Sequence, residues 1–382
     1  MTWFNDVGLL HYHASLLADA NRVDRLREAV HAVVRPGDVV VDLGTGTGLL
    51  AYFACQAGAA RVFAIEEGPV VDLAREIARV NGFDDRVEFF EDRSYRVELP
   101  ERADVLISET LWNFGVGEGM VGFLADARRR FLKPGGRSIP LSVELHVAAV
   151  QNHRVYQHLS DRPRNRHGID FGPIRRCQVN NVQMPHLHSD DFLAPPARLH
   201  SSELDESAAP DLDAEVSTTV TRGGAMHGIC GWFRCRLTPE IALDNEPPAV
   251  TSSWAHAFFP ALKPIAVAPG DEISMRIESS AEGSVWRWRI AARRDGELRA
   301  SYDQTSADGF PSGPPARGKG DRPMTTVKGE VVAWVLGAMD GTRDAAALEA
   351  GVRERFGSRF TDAQDAVALV RETVDRFGRV PR

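Results

Sequence analysis

The sequence predicts an α/β protein in three parts: a parallel sheet with helices on both faces, a β-rich domain, and a small helical module. Three observations predict it. Over residues 35–140, short apolar runs alternate with helical patterns of about ten residues, the rhythm of strands and helices in a parallel sheet. After Pro140 the helical patterns thin out and strand-like runs dominate. Beyond residue 325 apolar residues again recur at steps of three and four.

Taken in order, residues 1–34 predict helices, with Leu16, Leu17, Val23, Leu26 and Val30 at helical spacing and Pro36-Gly37 as the stop. A β-branched run at 39–43 predicts a buried strand that enters a glycine turn. Helices follow at 49–57 and 70–81, strands at 61–65, 87–90 and 103–108, and a helix at 123–132 that ends at Lys133-Pro134-Gly135-Gly136. In the β-rich part, strands are expected at 142–150, 227–237, 265–268, 273–277 and 285–291. Residues 158–198 are polar and irregular, either a projecting arm or a long loop. Residues 303–325 carry Gly, Pro, Ser and Asp in the manner of a linker. The module at 326–382 follows: Val331, Val335 and Leu336 on one face, a turn at 340–342, then Leu348, Val352 and Phe356, and Val367, Val370, Val374 and Phe377.

Composition narrows the function classes. With 45 Lys plus Arg against 53 Asp plus Glu, the net charge of −8 disfavours non-specific nucleic-acid or membrane-surface binding and suits a cationic substrate. The four cysteines (Cys55, Cys177, Cys230, Cys235) have no CxxC spacing, so neither a disulfide framework nor a metal site is expected. No basic segment followed by a long apolar run opens the chain, and no run of 18 apolar residues exists. A cytoplasmic protein without a membrane span is expected.

Two motifs carry chemistry. In Asp42-Leu43-Gly44-Thr45-Gly46-Thr47-Gly48, alternating glycines after a strand let backbone approach a ligand where a Cβ would collide. Glu66, at the end of the next strand, is placed to accept both hydroxyls of a ribose. A dinucleotide oxidoreductase would use GxGxxG. GxGxG with Asp42 two residues before the first glycine points instead to S-adenosylmethionine, whose amino group and sulfonium suit a carboxylate. The second motif is Glu109-Thr110-Leu111-Trp112-Asn113-Phe114-Gly115-Val116-Gly117-Glu118. Glu109 ends an apolar strand, at the edge where open α/β sheets bind ligands. The glycines let the loop fold back, so that Glu109 and Glu118 can face one guanidinium, a planar fork of five donors. Taken alone, Glu118 also fits an exposed loop charge.

With these residues in view, the chain resembles the protein arginine methyltransferases. The turn continued through Leu49–Ala59 is similar to that family's first motif, and Glu109 and Glu118 have the spacing of its double-glutamate loop. The resemblance implies a Rossmann-like methyltransferase domain (35–140), a β-barrel substrate domain (141–302) with a dimerisation arm near 158–198, and N-terminal cofactor-covering helices (1–34). The C-terminal module lies outside it; it is weakly similar to winged-helix modules that bind leader peptides, but packing filler or an oligomer contact is the favoured reading. It implies S-adenosylmethionine held by Arg22, which would pair with the methionine carboxylate, and by Asp42, Gly44, Gly46 and Glu66. His13 would neighbour the cofactor and Met120 the reactive methyl, while Tyr95 takes the place of an adenine-binding glutamate. On the substrate side Trp3 stands in a motif that here lacks both tyrosines. Ser253 replaces the histidine of a threonine-histidine-tryptophan loop that ends at Trp254. A homodimer is implied. The substrate is expected to be arginine, with free L-arginine monomethylated in a biosynthetic pathway as the leading expectation. Arginine in a protein or precursor peptide is the alternative, and a non-catalytic cofactor-binding scaffold the third.

Overall fold

β1 (Val39–Leu43) is buried along nearly its whole length, which only a strand covered on both faces can be. It lies in the middle of a five-stranded parallel sheet, in the order β3-β2-β1-β4-β5, in a computed structural model of the chain. That structure describes residues 6–117, 119–160, 165–247, 253–280, 283, 285–309, 325, 327–359, 369–371 and 373–374. The other strands are β2 (Arg61–Glu66), β3 (Val87–Glu91), β4 (Ala103–Ser108) and β5 (Leu132–Ile139). Leu43 is level with Ile65 of β2 and Ser108 of β4. The next residues along each strand, Gly44, Glu66 and Glu109, therefore emerge together at the carboxyl edge.

Helices α1 (Asp6–Ala18), α2 (Ala20–Val33), α3 (Leu49–Gln56), α4 (Val70–Asn81) and α5 (Met120–Phe131) accompany the sheet. Asp19 caps α2 by accepting the Arg22 amide at 3.1 Å, and Leu26, Ala29 and Val30 form its buried face. Two expectations fail at α5. The helix begins three residues before 123, and the LysProGlyGly segment is not a turn but part of β5. Pro134 is tolerated there because β5 is the edge strand, where one side of the ladder needs no donor.

After β6 (Ser142–Val150) come α6 (His153–Ser160), the two-residue strands β7 (Asn165–Arg166) and β8 (Ile169–Asp170), and α7 (Gly172–Val179). The stretch read as irregular thus contains helix and a small hairpin, and it is anchored by buried Val179, Leu187 and Leu193. Then follow β9 (Ala197–Glu203), β10 (Leu212–Thr219), β11 (Gly224–Arg236), β12 (Ala242–Asp244), β13 (Ala257–Val267), β14 (Glu272–Ser280), β15 (Val285–Arg294) and β16 (Glu297–Thr305). They form two antiparallel sheets, β12-β11-β6-β9 with β13 also on β11, and β10-β14-β15-β16. The expected barrel domain takes the form of this pair of sheets: among the described residues no ladder joins them. β9, β10, β12 and β16 were not anticipated.

The chain divides into two units, residues 1–314 and 315–382. The expected linker began too early, since Asp303 to Thr305 complete β16 and a 3-10 turn, Ser306–Gly309, follows. The second unit contains α8 (Val327–Ala338) and α9 (Ala345–Phe356), whose buried Val331, Val335, Leu348, Val352 and Phe356 form a core of their own with Val370. Leu336 does not share that face: it is exposed, one helical step round from Val335. Val367 and Phe377 lie outside the described residues.

Candidate active site

The glycine turn at the head of β1 is held by Asp42. One carboxylate oxygen accepts the Thr45 hydroxyl at 2.5 Å and the Ala51 amide at 3.0 Å, and the other, also buried, has no partner. Complete burial pushes the Asp42 carboxyl up to about 7. Gly44 and Gly46 both have positive φ, and a Cβ on Gly46 would stand 3.1 Å from the His13 ring. His13 therefore covers the turn, and burial, with the Arg22 charge, lowers its pKa and keeps it neutral.

Glu66 reaches back to the same turn. Its two oxygens accept the Gly46 amide at 2.9 Å and the Gly68 amide at 2.8 Å, and burial raises its pKa. Each oxygen keeps a lone pair for a further donor, the arrangement that two vicinal hydroxyls require. A backbone cradle, an unpartnered buried carboxylate oxygen and a diol acceptor fit a nucleoside that carries a cationic tail. Tyr95 stands in the turn after β3, half exposed, its hydroxyl near Gly122 of α5. Met120 opens α5 and is buried.

Glu109 leaves β4 at the neighbouring position. Its Oε1 accepts the Leu111 amide at 3.0 Å, and its Oε2 accepts the Arg22 Nε–H at 2.7 Å and also pairs with Arg22 Nη2. Arg22 additionally donates to the Leu16 carbonyl at 3.2 Å and lies 5.7 Å from the Trp254 ring. The expected partner of Arg22 was a cofactor carboxylate. Here its guanidinium lies on Glu109: with the two side chains only 8% and 6% exposed, each needs the other's charge. Arg22 thus ties the first turn of α2 to the carboxyl end of β4.

Trp254 donates its indole N–H to the Leu111 carbonyl at 3.0 Å, which ties the turn at 253–255 to the loop that follows Glu109. Ser253 donates its amide to Asp19 Oδ2 at 2.6 Å, while its hydroxyl is buried without a partner. Trp3 and Glu118 lie outside the described residues. Two residues at the site had no signal in the sequence: Asp19, one of many acidic residues between helices, and Asn245, fully buried beside the loop. Among the described residues no group of His, Cys, Asp and Glu has the arrangement of a metal site, and no helix is long and apolar enough to cross a membrane.

Comparison with known proteins agrees with this geometry. A family model described as the arginine methyltransferase oligomerization subdomain matches residues 142–289, and one described as ribosomal protein L11 methyltransferase matches residues 26–141. A probable protein arginine N-methyltransferase 6 of Arabidopsis thaliana is 31% identical over 261 residues, which cover 66% of this chain and 60% of that protein. Protein arginine N-methyltransferase 6 of Danio rerio is 26% identical over 270 residues, 67% of this chain and 77% of that protein. The chain thus spans 60% of the length of the Arabidopsis relative. The Trypanosoma brucei PRMT1 enzyme-prozyme heterotetrameric complex with AdoHcy superposes with a TM-score of 0.69 at 23% identity, over 77% of this chain and 96% of that one. Arabidopsis thaliana protein arginine methyltransferase 10 gives 0.65 at 23%, over 78% and 99%. At those identities the structural likeness is one of fold.

Proposed function

We propose that this chain, which is similar to the protein arginine methyltransferases over 66% of its length, transfers a methyl group from S-adenosylmethionine to a guanidinium nitrogen of arginine within a protein or peptide. The carrying observation is Glu109, a buried carboxylate at the carboxyl end of β4 that is paired with Arg22 and precedes Thr110, which a Cβ on Gly44 of the glycine turn would meet at 2.7 Å.

When bound, the cofactor supplies an electrophilic sulfonium methyl. The chain's residues do the rest. Glu66 would accept from the ribose hydroxyls, Gly44 and Gly46 allow close backbone approach, and Arg22, paired with Glu109 in this structure, would exchange that partner for the cofactor's carboxylate and so free Glu109 for the guanidinium. A guanidinium stays protonated below pH ~12, so its nitrogen lone pairs are delocalised and it attacks poorly. Glu109 holds the positive charge on the nitrogens that do not react and aims the one that does. Glu118 is proposed as the second carboxylate on the strength of its spacing. Holding both reactants in line lowers such a barrier by up to ~7–11 kcal/mol. The proton leaves the methylated nitrogen for a glutamate carboxylate or water.

A free amino acid would need partners for its α-carboxylate. Among the basic residues of the β-rich domain that could serve (His153, Arg154, Arg162, Arg164 and Arg166), His153 stacks edge-on against His227 at 4.7 Å. His227 is six positions along β11 from Phe233, the strand residue packed on Trp254, about 20 Å away at strand spacing. That distance removes His153 as an α-carboxylate partner beside Trp254, and a polypeptide substrate is supported by relatives named as protein arginine N-methyltransferases. The Ser253 hydroxyl and the missing N-terminal tyrosines leave few groups to re-aim a methylated guanidinium, which supports arrest at monomethylation.

Incubation with S-adenosylmethionine and either arginine peptides or free L-arginine, read by mass spectrometry, should give monomethylarginine in the peptides. Glu109→Gln should lower turnover ~100-fold, the effect of losing one electrostatic stabiliser. Methylation of free arginine alone would overturn the substrate class, dimethylated product the monomethyl reading, and no product on either a catalytic role.

The assembly is proposed to be a homodimer through the arm, where Ile169, Phe171 and Ile174 present apolar surface, Ile169 being 58% exposed. Light scattering should give a dimer, and Ile169→Glu with Ile174→Glu a monomer. An unchanged dimer in that variant would place the contact elsewhere.

A further inference from the structure

The loop that starts at Glu109 is held down by residues far along the chain. A Cβ on Gly115 (φ +74°) would come within 2.8 Å of Phe233 and 2.9 Å of Val143, so the loop's apex lies flat on the β6–β11 sheet. Trp112 stacks on Trp286 of β15 at 5.2 Å, and buried Phe114 meets Phe259 of β13 at 5.5 Å. Apolar contacts of this kind are not directional and press the loop down without setting its place along the sheet.

Directional bonds come from Asn245, which is 0% exposed. Its Oδ1 accepts the Phe233 amide at 2.9 Å, and its backbone amide donates to the Phe233 carbonyl at 3.3 Å, extending the β12–β11 ladder by one residue. Its Nδ2 donates to two carbonyls, Asn113 in the glutamate loop at 3.0 Å and Ala255 in the turn at 253–255 at 2.8 Å. Trp254, next to Ala255, donates to Leu111 two residues before Asn113 and closes the ring of bonds. All three hydrogen-bonding directions used by this carboxamide are satisfied. Aspartate would bring no donor for the two carbonyls, and an apolar residue would leave three groups unpaired, the buried Phe233 amide and the part-buried Asn113 and Ala255 carbonyls.

We propose that Asn245 is a positioning residue for methyl transfer, fixing the Glu109 loop against the Trp254 turn through one carboxamide. The role rests on the methyltransferase reading, since it is the alignment of Glu109 with a guanidinium that the bonds protect. A displacement of about 1 Å at such a centre costs on the order of 100-fold in rate.

The test compares the full chain with Asn245→Asp, the milder Asn245→Ser, and Ile277→Val, a fully buried position on β14. Hydrogen exchange is followed at Trp112, Gly115 and Val116, whose amides bond within the loop. Methylation of an arginine peptide and binding of S-adenosylhomocysteine are measured alongside. In Asn245→Asp, loop exchange should rise at least tenfold while β2 amides are unmoved. Its kcat should fall at least 30-fold, with S-adenosylhomocysteine affinity within twofold. Asn245→Ser should move the same way by less, and Ile277→Val should lower the melting temperature with loop exchange and kcat unmoved. A folded Asn245→Asp with loop protection intact, or with kcat within threefold of wild type, overturns the proposal, as does an Ile277→Val that reproduces both effects. If Asn245→Asp does not fold, Asn245→Ser decides, a threefold change in each readout being required. If the wild-type chain methylates no arginine, the functional reading falls, and loop exchange alone decides whether Asn245 holds the loop.

Discussion

Asp42 shows how a single residue can serve the ligand turn at a cost to the fold. Its carboxyl is pushed up to about 7 by burial, whereas in the unfolded chain it ionises near 3.8. Between those values the folded chain holds a proton that the unfolded chain has released. The stability linked to it is therefore complete below pH 4 and lost as pH rises through 7. His256 acts in the opposite sense: burial pushes it down to about 4, so its contribution is present above pH 6.5 and lost as pH falls through 4. Replacing Asp42 by Asn removes the first trend and leaves the second. The melting temperature of Asp42→Asn relative to wild type should climb by several degrees from pH 4.5 to pH 7.5, as calorimetry at fixed ionic strength would record. A constant difference across that range would mean that Asp42 is ionised in the native state throughout.

At the scale of elements, the critical junction is the start of α2, where Asp19 does two jobs. One oxygen caps the helix through the Arg22 amide, and the other receives the Ser253 amide from the turn at 253–255. Asp19→Ala should destabilise the chain by about 1–2 kcal/mol, the usual loss of an N-cap. It should also raise KM for an arginine peptide, because Ser253 and Trp254 lose their tether. Denaturant titration and steady-state kinetics on one preparation separate the two effects, and a variant with unaltered KM would leave Asp19 as a helix cap alone. Elements with strong apolar periodicity were legible from the sequence: 70–81, 103–108 and 142–150 fall where the pattern puts them. β10 was not, because its outer residues are polar and exposed and its inward ones include Ala214 and Val216 with little apolar bulk. The glycine turn and Glu109 were legible because their chemistry follows strand ends. Asn245 was not, because a lone asparagine has no pattern and takes its meaning from three partners distant in sequence or brought close by folding.

As a whole molecule the chain is two bodies with separate cores. In residues 1–314, both antiparallel sheets and the parallel sheet contribute to one continuous cluster of buried side chains, so the glutamate loop is built from both layers at once. Residues 315–382 keep Val331, Val335, Leu348, Val352 and Phe356 to themselves. A chain ending at Pro314 should bind S-adenosylhomocysteine within threefold of the full chain and melt within a few degrees of its main transition. A loss of binding in that truncated chain would show that the module supports the site.

The stack of Trp112 on Trp286 makes the glutamate loop observable without any label. The two indoles lie 5.2 Å apart with their planes 19° from parallel, one in the loop and one on β15. Two chromophores at that separation share their excitation, and the coupling gives paired bands of opposite sign in circular dichroism whose size depends on the angle between them. Any event that lifts or turns the loop by a fraction of its width changes that angle. The protein thus contains an optical goniometer at its glutamate loop, readable in a stopped-flow instrument on mixing with S-adenosylhomocysteine.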